Sequence, residues 1–376
     1  MNDNLAVSLL AKVTKWDNGR LSKELPKLSF MARTKYDAYS QFDPGFRFMS
    51  SFAQWMAQFD KEDVETIYSA LKDHLAFVSM EQIKYLMDLM YSSKIKPYIR
   101  AASAGKAGFE TYQLKRIENS IEYRIQKRLL LVVGLSDGSH TDILRRTAGF
   151  SNEQVLPMYY PNQEKLQDVY DELQKDELLK GTDRKLFESL LLVDDFTASG
   201  ISFARKEGHE FKGKIIKVLK GLKQRGVASE GGVDDVKDIE LSDLFVKDAI
   251  KVNVLFCVAT ENAIDNINRE VRHYLNENGL ASIIRFNVDC VQLIKSEGVE
   301  TLKANSSLKN ALKKYYDGSQ ELSGSYKKGV HVEPYWGFNE CGLLLVLSHN
   351  TPNNTLPLIW ANTSKFKGLF PRINRH

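Results

Sequence analysis

The sequence predicts an α/β protein with a doubly wound parallel sheet and an N-terminal helical domain. Continuous apolar runs at 129–135, 190–193 and 252–259 are typical of strands that are buried on both faces of a parallel sheet. An amphipathic helical pattern at 261–275 and a further apolar run at 282–288 complete a strand–helix–strand unit, whose strands are parallel. We therefore expect ligands to bind at the carboxyl ends of these strands.

Residues 1–125 have the pattern of a helical domain. Apolar residues recur there at the i, i+3, i+4, i+7 spacing of one helix face. The three sets are Phe52, Trp55, Met56 and Phe59; Val64, Ile67, Tyr68 and Leu71; and Ile83, Leu86, Met87 and Met90. The predicted division is a helical domain at 1–125 and an α/β domain at 126–376, with a charged insertion at about 206–248 and a C-terminal extension over the site.

Composition indicates a cytoplasmic protein. The 52 basic and 48 acidic residues give a net charge of +4, which argues against a nucleic-acid coat or a membrane-surface protein. The cysteines Cys257, Cys290 and Cys341 lie far apart, with neither metal-ligand spacing nor a disulfide framework. We expect no membrane segment, because no leader pattern and no apolar stretch of spanning length is found.

The stretch from Leu190 to Ser202 carries the strongest chemical signal. Its aliphatic run ends in two adjacent carboxylates, Asp194 and Asp195, which suit ribose hydroxyls or Mg²⁺. A small, hydroxyl-rich turn and the predicted N-terminus of a following helix suit a phosphate. The residues of the turn are Thr197, Ala198, Ser199, Gly200, Ile201 and Ser202. The alternative is a strand that ends in the acidic N-cap of the next helix.

This stretch resembles the phosphoribosyl-pyrophosphate motif of the type I phosphoribosyltransferases. The resemblance implies a sheet of the type I phosphoribosyltransferase kind. It also implies that Asp194 and Asp195 are the catalytic pair, hold the 2′- and 3′-hydroxyls of the ribose and contact Mg²⁺ indirectly. Residues 197–202 would then bind the 5′-phosphate.

A second polar loop follows the strand at 129–135. It consists of Ser136, Asp137, Gly138, Ser139, His140 and Thr141. The resemblance assigns this loop to pyrophosphate, because the preceding strand–loop–helix unit has that role in the family. Arg145 and Arg146 could reach the pyrophosphate with bidentate hydrogen bonds, or they could lie on a solvated helix face. The loop that closes over the site in that family has no recognisable counterpart at 151–189.

The insertion at 206–248 has a lysine-rich first half and an acidic second half. Opposed charge blocks are typical of a solvated surface segment. The lysines could instead contact nucleic acid or polyphosphate, although no aromatic residues are interleaved for base stacking.

Near the C-terminus a predicted buried strand opens into a polar loop. Such loops often belong to a site, and its residues could contact a base or a ribose. These candidates are His349, Asn350, Asn353, Asn354 and Trp360. Alternatively, the asparagines form turns and His349 is a structural imidazole.

The segment 348–360, with Leu369–Arg372, resembles the phosphoribosyltransferase-like effectors of bacterial conflict systems, including those encoded beside retrons. The resemblance implies an antiviral (anti-phage) toxic effector that a regulatory protein or a reverse-transcriptase/RNA–DNA complex restrains. The predicted activity is that of a glycosyltransferase-type enzyme, which acts with Mg²⁺ at ribose C1′ of phosphoribosyl pyrophosphate or a nucleotide. The alternative is a non-catalytic module that senses a ribose phosphate or nucleotide and regulates a partner complex.

Overall fold

The structure is a computed structural model that describes residues 3–39, 47–223, 239–318, 332–363 and 366–372. The chain forms two compact units: a first unit of Met1–Ile83 with Lys295–His376, and a second unit of Lys84–Ile294. This division differs from the predicted boundary at residue 125. Helical spacing shows that a helix buries one face, but it does not show which element covers that face.

The α-helices of the described residues are α1 (Asp3–Thr14), α2 (Asn18–Thr34), α3 (Phe48–Met56), α4 (Val64–His74), α5 (Met80–Met90), α6 (Lys96–Ala107), α7 (Leu114–Glu118), α8 (Ile121–Arg128), α9 (Thr141–Ala148), α10 (Gln163–Lys175), α11 (Lys214–Leu222), α12 (Glu261–Glu277), α13 (Ser296–Lys303), α14 (Ser306–Tyr315) and α15 (Pro357–Trp360). The strands are β1 (Ala76–Val78), β2 (Leu130–Gly134), β3 (Val155–Leu156), β4 (Ser189–Thr197), β5 (Arg205–Glu207), β6 (Glu210–Lys212), β7 (Ile250–Thr260), β8 (Ile284–Ile294) and β9 (Leu345–Leu347).

The second unit is built on a five-stranded sheet in the order β3-β2-β4-β7-β8. Every neighbouring pair in this sheet is parallel. The predicted parallel sheet is therefore confirmed, and its strands β2, β4, β7 and β8 overlap the four apolar runs. The short edge strand β3 has too few residues to give a sequence signal.

Helices cover both faces of this sheet. Leu190 and Leu192 of β4 pack in a cluster with apolar residues of α10, α11 and α12. Leu191 and Val193 pack in a second cluster with apolar residues of α5, α6 and α9. Successive side chains of a strand point to opposite faces, so a continuous aliphatic run requires this arrangement. The doubly wound fold is thus confirmed.

The segment after β4 corrects two sequence expectations. No helix begins directly after Ser202 in the described residues: a turn at 201–203 and the β5–β6 hairpin come first, and α11 begins at Lys214. Five apolar residues of α11 are buried, so this part of the insertion at 206–248 belongs to the core rather than to a surface excursion. Its lysines lie between these apolar positions, which hid the amphipathic pattern within a charged block. Most of the acidic half lies outside the described residues.

The first unit combines α1–α4, α13–α15 and a two-stranded parallel pair. Strands β1 and β9 pair through Phe77 and Val346, so the predicted C-terminal strand is present, in β9. An aromatic cluster that includes Phe48, Phe52 and Phe370 fills the core. Among the described residues, none of the helices is both long enough and apolar enough to cross a bilayer.

Candidate functional site

Asp194 and Asp195 lie at the carboxyl end of β4 and are almost fully buried, with 1% and 7% of their surfaces exposed. The Oδ1 atom of Asp194 accepts hydrogen bonds from the hydroxyls of Ser136 and Ser139 and from the amide of Asp195. The ammonium of Lys214 lies 3.3 Å from Oδ2 of Asp194. Both oxygens of this carboxyl group therefore have donors within the protein.

The environment of Asp194 raises the pKa of its carboxyl group. Burial is the largest cause, and the nearby carboxyl group of Asp195 adds to it. The charge of Lys214 and the hydrogen bond from Ser136 act in the opposite direction. Asp194 consequently holds a proton more tightly than an exposed aspartate does.

The loop Ser136–Thr141 is folded onto this acid pair. The amide of Ser136 donates to the hydroxyl of Ser139 at 2.8 Å, and the Ser136 hydroxyl accepts from the amide of Gly138 at 3.2 Å. A side chain at Gly138 would place its Cβ 2.8 Å from Oδ2 of Asp195. Glycine is therefore needed at this position because the loop backbone lies directly against the Asp195 carboxylate.

Loop 197–202 is held by side chains that fix its carbonyl groups. Thr260 donates to the carbonyl of Ala198, and Asn266 donates to the carbonyl of Ser199 at 3.1 Å. Gly200 has φ +74°, and a Cβ there would lie 2.9 Å from the carbonyl oxygen of Ala263. The loop thus has a fixed conformation that requires glycine at its centre.

The amides of this loop are left available. Within the described residues, the N–H groups of Ser199, Gly200 and Ser202 have no acceptor. Successive backbone N–H groups around a left-handed residue form a concavity that suits an anion. The expected helix N-terminus does not contribute, since the first amides of α11 donate to the carbonyls of Ser202 and Phe203.

Lys214 is a site residue that the sequence reasoning missed. It begins α11, and its ammonium lies over the ring of Phe203 as well as beside Asp194. The sequence shows it as one of several lysines in a charged block, where nothing distinguishes it. The one signal in the sequence was Gly213, which precedes an amphipathic run. In the structure Gly213 has φ +123°. Asn266 gave no sequence signal, because its contact depends on how α12 packs.

The structure brings together the acid pair, loop 136–141 and loop 197–202 in the second unit. Arg145 and Arg146 lie in the last turn of α9, more than one turn beyond the loop. His349, Asn350, Asn353, Asn354 and Trp360 belong to the first unit. There Asn354 donates to the carbonyl of Phe338, and the indole of Trp360 donates to the carbonyl of Thr355. Their contact with a base or a ribose remains a proposal.

Carboxylate groups occur in two places that bear on a metal ion. Both oxygens of Asp194 already have donors within the protein, and the indirect Mg²⁺ contact of the acid pair stays a prediction. In the first unit, Asp60, Glu62 and Asp63 bring carboxylate oxygens within 4.8 Å of one another, close enough to share a cation. The ammonium of Lys314 lies among them, 2.7 Å from Asp60, 3.2 Å from Glu62 and 2.7 Å from Asp63.

A doubly wound parallel sheet, with an acid pair and two polar loops at the carboxyl ends of its strands, defines a phosphoribosyltransferase-like α/β protein. Comparison with protein families supports this class: the family model PRTase-CE matches residues 52–372, which is more than half of the chain. The chain therefore belongs to the PRTase-CE family. Comparisons with curated proteins and with solved structures returned no significant match.

Proposed function

We propose that the protein is an enzyme that acts at ribose C1′ of phosphoribosyl pyrophosphate or of a nucleotide. The observation that carries this proposal is that loop 136–141 packs against Asp194 and Asp195, at the end of the strand from which loop 197–202 continues. With phosphoribosyl pyrophosphate, the C1′–O bond breaks and the pyrophosphate oxygen keeps the electron pair, while a lone pair of the acceptor bonds to C1′ and the acceptor releases a proton to solvent. With a nucleotide, the C1′–N bond breaks and the base keeps the electron pair, while a water molecule supplies the hydroxyl at C1′ and a proton for the base. No protein nucleophile is required.

Each part of the site has a proposed role in that reaction. The free amides of loop 197–202 bind the 5′-phosphate, and Ser136–Thr141 binds the pyrophosphate. Asp195 contacts the ribose hydroxyls directly, whereas Asp194 holds loop 136–141 in place as a positioning residue. Mg²⁺ would neutralise charge on the pyrophosphate when bound. Because the transition state is cation-like at C1′, fixed geometry and nearby negative charge supply most of the rate.

A second candidate function is a sensor that binds a ribose phosphate or nucleotide without turnover. The burial of Asp194 and Asp195 favours it, because a ligand would have to open the site to reach them. The binding energy could then be transmitted to a partner. Under either function we also propose, on the sequence resemblance, a cytoplasmic role in anti-phage defence under the control of a partner complex.

Mass spectrometry of a deproteinised bacterial nucleotide extract tests the proposal. The extract is incubated with Mg²⁺, phosphoribosyl pyrophosphate and the purified protein, beside an Asp195→Asn variant. The matched control is Asp168→Asn, an exposed position on α10. A metabolite gained or lost with the wild type and Asp168→Asn, but not with Asp195→Asn, supports an enzyme.

Calorimetric titration with phosphoribosyl pyrophosphate separates the remaining outcomes. Binding that Asp195→Asn abolishes, without turnover, supports the sensor. Absence of both binding and turnover in the wild type contradicts the ribose-phosphate site itself.

A further inference from the structure

A cavity of about 100 Å³ lies within the second unit, away from the acid pair. Strands β2, β4, β7 and β8 form one side of it, and residues 94–98 form the other. Its lining residue Leu191 precedes Asp194 by three positions in β4. At roughly 3.3 Å per residue, the cavity is about 10 Å from the acid pair toward the amino ends of the strands.

Polar side chains line the β7–β8 side of this cavity. Asn253 is half-buried, and Asn287 on the edge strand β8 is exposed at the rim of the cavity. Here β2 and β4 contribute leucines, but β7 and β8 contribute Asn253 and Asn287, which are register partners on adjacent strands. Two carboxamides therefore line the same cavity side by side.

These carboxamides have unused hydrogen-bonding capacity. The hydroxyl of Tyr98 is 2.6 Å from the hydroxyl of Ser189 and is also within reach of Asn253. No partner for the amide of Asn287 occurs among the described residues. Each carboxamide offers two donors and an acceptor with two lone pairs. Solvent meets this capacity at the exposed Asn287, and a ligand would have to replace that water.

The opening of the cavity is charged and its wall has a rare geometry. Lys94 and Asp289 form an ion pair of 2.6 Å, with side chains that are 30% and 45% exposed. Lys94 and Ile95 belong to a π-helical turn, Tyr91–Ile95, between α5 and α6. Single π-helical turns are rare and occur frequently at functional sites.

We propose that this cavity binds a single-ring heterocycle with an amide edge, of the pyrimidine base class. Asn253 and Asn287 would pair with the alternating donors and acceptors of that edge, while Tyr98 and the strand leucines contact the ring. The cavity of about 100 Å³ is smaller than the apolar cavity of about 150 Å³ that encloses benzene, so a single ring would fill it and protrude at its open rim. A larger group attached to the ring would extend past Lys94 and Asp289 into solvent.

Isothermal titration with uracil, cytosine and benzene tests this proposal on the full chain. We expect uracil or cytosine to bind with a dissociation constant below about 1 mM, and benzene to bind more weakly. Asn253→Leu should weaken binding at least tenfold. Leucine fits a buried parallel strand, so the variant should fold. The matched control Asn276→Leu, at an exposed position of α12, should bind as the wild type does.

Three results would overturn the proposal. The first is no pyrimidine binding at 10 mM, as for a cavity that holds only water, and the second is benzene binding as tight as that of the pyrimidines. The third is pyrimidine binding that Asn253→Leu leaves unchanged. If Asn253→Leu does not fold, Asn287→Leu on the edge strand β8 replaces it with the same criterion. Asp195→Asn should retain uracil binding. If Asp195→Asn loses uracil binding and the cavity variants retain it, the base binds at the acid pair. That result would contradict the cavity site without contradicting the proposed function.

Discussion

The ammonium of Lys214 lies 3.3 Å from Oδ2 of Asp194, a carboxyl group that is 1% exposed. Lys214 is also the first residue of α11, and its amide donates to the carbonyl of Ser202. One residue thus joins the end of β4 to the end of loop 197–202 and to a core helix. Because Asp194 also accepts from Ser136 and Ser139, the ion pair connects loop 136–141 with the first residue of α11.

Lys214→Met should lower the free energy of unfolding. It removes the cation that compensates a buried carboxylate, a change that costs about 3–5 kcal/mol when both partners are buried. Lys214 is 27% exposed, so we expect about 1–2 kcal/mol after screening by solvent. The measurement is urea denaturation at pH 7.5, repeated near pH 4, where a protonated Asp194 should reduce the loss.

Lys220→Met is the matched control for this experiment. It lies on the same helix, and among the described residues its ammonium forms one long, exposed ion pair, 3.8 Å from Glu210. Its effect should be within about 0.5 kcal/mol. Equal losses of unfolding free energy in the two variants would show that the Lys214–Asp194 pair stabilises the protein no more than an exposed ion pair does.

Asp194→Asn should gain stability relative to the wild type as the pH rises. The folded protein raises the pKa of Asp194, so the wild type binds this proton more tightly when folded than when unfolded. The contribution of this group to stability is therefore complete below the ordinary carboxyl pKa of about 3.9, and it is lost as the pH rises through the higher folded value. Each unit of raised pKa corresponds to about 1.4 kcal/mol.

Thermal unfolding from pH 4 to pH 8 measures this difference. The stability of Asp194→Asn minus that of the wild type should increase by more than about 1 kcal/mol across the range. Asp168→Asn, at an exposed position of α10, is measured beside it as the matched control. A constant difference for Asp194→Asn across this pH range would contradict the raised pKa.

The sequence was sufficient to predict the sheet, and the candidate site, which stays a prediction, lies at the carboxyl ends of its strands. Runs such as Leu190–Val193 are apolar on both faces, which requires a covered parallel strand, and Asp194 interrupts that run where the strand approaches its carboxyl end. The loops at 136–141 and 197–202 then follow from the common direction of parallel strands. Local pattern was enough because each of these features lies within a short stretch of chain.

Features that depend on distant contacts were not predictable. Strands β1 and β9 have three residues each and pair across more than 260 positions, so neither their pairing nor the two-part first unit has a local signal. The β5–β6 hairpin lies between loop 197–202 and α11 in the chain, so the helix that was expected directly after Ser202 begins only at Lys214. The role of Lys214 follows from that displacement.

Gly138→Ala should impair ligand binding without unfolding the protein. The added Cβ would lie 2.8 Å from Oδ2 of Asp195, so the carboxylate or the loop must shift. Under the proposed function we expect the dissociation constant for phosphoribosyl pyrophosphate to rise at least tenfold by titration. Gly105→Ala in α6 has no atom within 4 Å of its Cβ and should leave binding unchanged. Unchanged binding in Gly138→Ala would mean that Asp195 does not contact the ligand.

Gly200→Ala tests whether the backbone conformation of loop 197–202 matters for stability and for ligand binding. Gly200 has φ +74°, which costs an L-residue about 1–2 kcal/mol, and its Cβ would also lie 2.9 Å from the carbonyl oxygen of Ala263. Gly279→Ala is a close control, because Gly279 has φ +67° but no atom within 4 Å of its Cβ. Both variants bear the conformational cost, so the difference between them isolates the contact with α12.

We expect chemical denaturation to show Gly200→Ala as the less stable variant by about 1–3 kcal/mol. If residues 197–202 bind the 5′-phosphate, its affinity for phosphoribosyl pyrophosphate should also fall at least tenfold, while that of Gly279→Ala stays at the wild-type value. A loss of stability without a loss of affinity would separate the two roles of the loop: the packing against α12 would stand, and the phosphate would have to bind elsewhere.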